Sequence, residues 1–142
     1  MDNANGGRDA LQMEKCIGAV GLAVLTVRSS DTCVAQGTND LAVVSTSALT
    51  NLVEGACGAS LIDFLEFGES LVTERLLIET ETSVGVGEEL HGSARCIEYH
   101  DGLFTFEAEI TCREKRIATA QVQRRLVDRL SYSARIAAER LL

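Results

Sequence analysis

Apolar and polar residues alternate with different periods along the chain, and the changes of period divide it into elements. Residues 1–12 are polar, contain glycine and show no period, which predicts a mobile tail ahead of one folded unit over 13–142. Residues 17–28 are rich in valine, leucine and isoleucine and suit a first strand, either buried on both faces or loosened by its glycines. Residues 29–40 are dense in turn formers and predict a loop with one short helical turn. From 48 to 65, Leu49, Leu52, Val53, Ala56, Leu61, Phe64 and Leu65 recur at spacings of three and four, and Ser45, Thr46 and Ser47 offer side-chain oxygens to cap the start. This is the long central helix, about 27 Å at roughly 1.5 Å per residue. Gly55, Gly58, Ala59 and Ser60 stand where bulk is usual, although each mid-helix glycine costs about 1 kcal/mol relative to alanine, so something must pack closely on that face.

After Glu69 the period becomes two. Residues 70–83 put Val72, Leu76, Ile78 and Thr80 on one face and Thr73, Arg75, Leu77, Glu79 and Glu81 on the other. Gly85 and Gly87 turn the chain, residues 90–100 form the next strand, and Asp101-Gly102 is a hairpin signal. Residues 103–113 alternate, with Phe104, Phe106, Ala108, Ile110 and Cys112 inward. Glu114-Lys115 predict a second tight turn, residues 117–127 the last strand, and residues 131–142 a closing helix. The sum is an α+β domain in which a four-stranded antiparallel meander wraps the helix and buries its apolar stripe.

Composition narrows the function. The chain has 142 residues, is 46% apolar, and carries 13 basic against 21 acidic side chains, which suits a single acidic globule and excludes disorder. The longest apolar run, residues 17–27, is shorter than the roughly 20 residues a membrane helix needs, and no positive leader precedes it, so a cytoplasmic protein is expected. Five cysteines, no two closer than 16 positions, and two histidines, His91 and His100, offer neither a disulfide framework nor a metal spacing. Residues 1–112 hold 5 basic and 18 acidic side chains, whereas residues 113–142 hold 8 and 3. That basic segment either pairs with the protein's own or a partner subunit's carboxylates or binds phosphates such as those of coenzyme A. Nucleic acid is a poor partner for so acidic a body with six aromatic residues.

Asp31-Thr32, Gly37, Leu41, Val43, Thr46, Leu49, Leu52, Glu54, Ala56, Gly68-Glu69, Val72, Ile78 and Val86-Gly87 resemble, in order and spacing, the hot-dog-fold thioesterases of the fluoroacetyl-CoA thioesterase type. The resemblance spans about residues 27–127 and implies the hot-dog fold, a long helix inside a curved antiparallel sheet. It also implies a catalytic group made of a threonine at the helix start, a glutamate eight residues later and a histidine on the following strand. The first two match Thr46 and Glu54; the histidine position falls on Thr80, and a glycine expected near the strand start is replaced by Thr73. Histidine is the usual proton shuttle near neutral pH, so this departure bears on activity.

Glu54 stands out without the resemblance. It is the only charged residue between Asp40 and Asp63, and an unpaired carboxylate in so apolar a segment would be desolvated and could serve as a base toward water. The bland alternatives are a solvent-facing glutamate or one bonded to Thr50; for Thr46 the alternative is a helix cap, and for Gly85 and Gly87 simple turns. Thr46 and Glu54 lie about 12 Å apart along one helix and cannot touch within it. Glu79 points away from Thr80 by strand alternation, and His91 and His100 are expected on the surface.

The leading expectation is a cofactor-free homodimeric thioesterase acting on a small acyl-CoA, with Glu54, Thr46 and Thr80 in the catalytic group and Thr73 and Gly87 against substrate. The second is a hot-dog module that binds acyl-CoA without catalysis, which the loss of histidine favours. A third is a plain dimeric scaffold. Dimerisation is implied by the resemblance, and the open sheet edges point the same way.

Overall fold

The computed structural model describes residues 10–141. Most of the expected mobile tail, residues 1–9, lies outside the described residues; residues 10–12 open a short helix, α1 (Ala10–Glu14), whose Met13 is fully buried. Then follow β1 (Val20–Thr26), a 3-10 turn (Ser29–Asp31), α2 (Cys33–Gln36) and α3 (Thr46–Ser60). The rest is β2 (Glu69–Thr80), β3 (Glu89–His100), β4 (Leu103–Cys112), β5 (Lys115–Asp128) and α4 (Arg129–Glu139).

The five strands form one antiparallel sheet in the order β1-β3-β4-β5-β2. The expected four-stranded meander is therefore a three-stranded one, β3-β4-β5. β2 lies beyond it against β5, because residues 81–88 cross the open end of the sheet, tied there by Val44 N–H to Val84 O at 2.9 Å and the Val43–Gly85 bridge. β1 is an edge strand and is not buried on both faces: Val20, Leu22 and Val24 are 59%, 70% and 58% exposed on its outer side. It is the glycine-loosened strand instead. A Cβ on Gly21 would lie 2.2 Å from Ala56 O and Ser60 N, so only glycine lets β1 lie this close to α3.

α3 supplies Leu49, Leu52, Val53, Ala56 and Cys57 to a core completed by Phe104, Phe106, Ile110, Ile117, Val122 and Leu126 from the sheet. Ser45 caps it, accepting from Ala48 N–H at 3.0 Å, an arrangement worth about 1 kcal/mol. The helix stops at Ser60 rather than residue 65, as tighter bonds from Leu61 N–H to Gly58 O and Ile62 N–H to Ala59 O end it. Leu61, Phe64 and Leu65 still pack on the core from the following loop, which is why the apolar period outruns the helix.

Two further differences have local causes. The turn between β4 and β5 is Arg113-Glu114, not Glu114-Lys115, with both residues at positive φ, 51° and 66°. In β2, the register against β5 shifts between Thr73 and Arg75, a β-bulge at Glu74. The bulge reverses the expected alternation: Thr73 faces inward as Leu76 and Ile78 do, and Val72 does not share their face.

Candidate functional site

Glu54 lies in the middle of α3, half-buried, and is not the unpaired carboxylate that its neighbours in sequence suggest. The Thr73 hydroxyl, brought inward by the bulge, donates to Glu54 Oε2 at 2.5 Å. Behind Thr73 stands Arg124 of β5. Its Nε donates to Thr73 Oγ1 at 3.0 Å, Nη2 to Leu71 O at 3.2 Å and Nη1 to Glu54 O at 3.4 Å. A Cβ on Gly58 would lie 3.9 Å from Nη1, an ordinary contact, so the close packing that the small residues of this helix permit is with Gly21 of β1. Thr50, the alternative partner for Glu54, instead donates to Ser47 O at 2.9 Å.

Cys57 lies one turn beyond Glu54. Burial pushes its thiol up to about 12, Glu54 adds to the rise, and Arg124 opposes it. A thiol held protonated in this way is neither a nucleophile nor a metal ligand near neutral pH. Among the described residues no group of three or more His, Cys, Asp and Glu side chains could hold a metal ion.

Thr46 is the first residue of α3 and is exposed; Ser45 does the capping, so the Thr46 hydroxyl is spared that duty. Thr80 ends β2 opposite Ala118, also exposed. It is seven positions beyond Thr73, roughly 20 Å along a strand. Thr80 and Glu54 thus do not meet within one chain. Thr46 instead belongs to the Thr80 end of the molecule, since Val44, two residues before it, bonds Val84. The structure therefore joins Glu54 to Thr73 directly and leaves Thr46 at the start of the helix and Thr80 at the end of β2.

Gly87 has a backbone reason for its identity. Its φ is 95°, nothing lies within 4 Å of an added Cβ, and its N–H donates to Val27 O at 2.8 Å, as a turn glycine would. His91 and His100 are exposed as expected, beside Glu89 at 3.0 Å and Asp101 at 3.3 Å. Glu79 points outward as expected, into a groove of about 430 Å³ on the sheet face opposite the helix, with Leu77, Arg95, Glu107 and Glu109. None of the proposed site residues lines that groove.

Sequence reasoning missed Arg124. A signal was present: the inward positions of the last strand read Ala118, Ala120, Val122, Arg124, Leu126, and a lone arginine in an apolar register calls for buried partners. Much of the basic segment pairs within the chain, Arg113 with Glu88 at 2.7 Å, Arg116 with Glu81 at 2.6 Å and Arg125 with Glu74 at 2.6 Å. The first of its two readings accounts for these three.

The profile of the fluoroacetyl-CoA-specific thioesterase family matches residues 27–130. The fluoroacetyl-CoA thioesterase itself superposes with a TM-score of 0.80 at 14% identity, covering 86% of this chain and 95% of that one. A thioesterase-superfamily protein of Thermus thermophilus gives 0.79 at 17%, covering 88% and 94%. A hot-dog-like protein of Thermanaerovibrio acidaminovorans gives 0.80 at 16%, covering 89% and 96%. No curated protein matches the sequence. At these identities the structures establish the fold alone, an α+β hot-dog; the profile, matching well over half of the chain, speaks to the family.

Proposed function

The chain belongs to the fluoroacetyl-CoA-specific thioesterase family, and from that premise we propose that it hydrolyses a small acyl-CoA thioester in the cytoplasm, with Glu54 as its general base. The observation that carries this reading is the Glu54 carboxylate itself, half-buried in the central helix and fixed through Oε2 by Thr73. Among the described residues no side chain donates to Oε1, and in this reading Oε1 is the oxygen that takes the water. Glu54 takes a proton from water as the new O–C bond forms at the thioester carbonyl. The C–S bond then breaks, and the departing thiolate takes that proton from Glu54, giving the free acid and coenzyme A. A related structure, a variant of the fluoroacetyl-CoA thioesterase, holds acetyl-CoA, and it superposes with a TM-score of 0.81 at 13% identity.

Thr46 contributes a hydroxyl at the start of the helix and Thr80 one at the end of β2, and Gly87 shapes the turn ahead of β3. Their separation from Glu54 is bridged by a second copy of the chain. Two features support a homodimer: β2 is an edge strand with one side unpaired, and α3 packs mainly on β1, β3 and β4, leaving Leu76 and Ile78 of β2 only partly covered and Thr80 exposed. Thr80 in the histidine position favours a second reading, a module that binds acyl-CoA without turning it over. Incubation with acetyl-CoA and a panel of short and medium acyl-CoAs, with free coenzyme A separated by chromatography, decides between them. Hydrolysis of at least one thioester is expected; binding with no release of coenzyme A establishes the second reading and overturns the first.

A further inference from the structure

A threonine hydroxyl has one proton and two acceptor lone pairs, whereas a guanidinium can only donate. Arg124 Nε–H occupies one Thr73 lone pair at 3.0 Å, so the Thr73 proton is directed elsewhere, and Glu54 Oε2 receives it at 2.5 Å. Arg124 in turn is anchored on two main-chain carbonyls, Leu71 O and Glu54 O. The relay has one sense, Arg124 to Thr73 to Glu54. A free glutamate side chain would surrender rotamer entropy on being aimed; here that cost falls on folding and not on the reaction.

The relay depends on the identity of residue 73 and on the direction in which it faces. The bulge at Glu74 is what turns Thr73 inward, and a glycine at position 73, as the family resemblance implies, has no side chain with which to donate. The expected histidine position, Thr80, is too distant to orient Glu54 from within the chain. We propose that Thr73, locked by Arg124, is the positioning residue for Glu54: it commits Oε2 to a hydrogen bond, so that Oε1 is the oxygen presented to water. This rests on the reading of Glu54 as the base, and the test separates the two.

Thr73→Val removes the donor and keeps the shape; Thr73→Ser keeps the donor; Thr73→Ala replaces the valine variant should that one not fold. With the acyl-CoA turned over fastest, Thr73→Val should lower kcat by about 10-fold or more and leave KM within about threefold, while Thr73→Ser retains at least roughly a third of kcat. A purely structural residue would instead lower the melting temperature without that split and without rescue by serine. The second readout needs no turnover: the side-chain carboxyl resonance of Glu54 in carbon-13-labelled protein, identified by its loss in Glu54→Gln. It should move in Thr73→Val and stay in place in Thr73→Ser. An unmoved resonance, or an unchanged kcat in Thr73→Val, overturns the proposal. A moved resonance in a protein that hydrolyses nothing supports the relay and overturns the thioesterase reading alone.

Discussion

Three residues after Glu54 and facing the same arginine, the Cys57 thiol reports how dry this part of the core is. Burial is the main cause that pushes it up to about 12, and burial likewise pushes Cys96 up to about 11, from an ordinary thiol value of 9.0. An unfolded chain loses these protons near 9, while the folded chain keeps them, so above that pH the native state binds more protons than the unfolded state. The linkage sign follows: these thiols leave stability unchanged below about pH 9 and reduce it as pH rises from there to about 12. Denaturant midpoints should hold steady between about pH 7 and 8.5 and fall between 9 and 11, with a shallower fall in Cys57→Ala measured against its own neutral value. A wild-type midpoint flat to pH 11 would mean that the thiol is not buried as described.

At the scale of elements, the close approach of β1 to α3 separates glycines that look alike in sequence. Gly21→Ala would drive a Cβ to 2.2 Å from the helix backbone, and the strand must move to accept it. A loss of about 3 kcal/mol in denaturant unfolding is expected. Gly55→Ala meets only Ala23 Cβ at 3.8 Å and should stabilise by about 0.5–1 kcal/mol through better helix propensity. Equal effects at the two positions would contradict the packing. The closeness was legible in the small residues of the helix, but not which strand caused it, since Gly21 carries no mark that distinguishes it from Gly18. Periodicity found every strand, because one face of each is apolar, and the Asp101-Gly102 turn forms with both residues at positive φ. It failed at β2, where one bulged residue exchanges the faces of everything before it, and pattern alone cannot tell a bulge from a strand read out of phase. That failure hid the Thr73–Glu54 contact, and with it Arg124, because an unbulged strand would point Thr73 away from the helix. Strand order was hidden for a different reason: β2 and β3 are neighbours in sequence, and only the crossing of residues 81–88 separates them in the sheet.

For the whole molecule, the fold is a hot-dog domain in which one helix rests on a five-stranded sheet, and among the described residues no helix is long and apolar enough to cross a membrane. The domain leaves Glu54 with its relay at mid-helix, Thr46 at the start of the helix and Thr80 at the end of β2. A second copy pairing along β2 is the simplest way for one substrate to meet both. Sedimentation velocity at micromolar concentration should therefore give a species of about twice the 15.3 kDa chain mass; a monomer would remove the bridging and leave Glu54 to act without the two threonines. The claim on which all this depends is that the Glu54 carboxylate performs chemistry. It is tested most directly by coenzyme A release from the preferred thioester in Glu54→Ala, with binding of the same thioester followed by calorimetry. The account predicts a fall in kcat of about 10²- to 10⁴-fold with affinity kept within a few-fold. Turnover undiminished in Glu54→Ala would contradict it, and would place the reaction on groups other than this helix carboxylate.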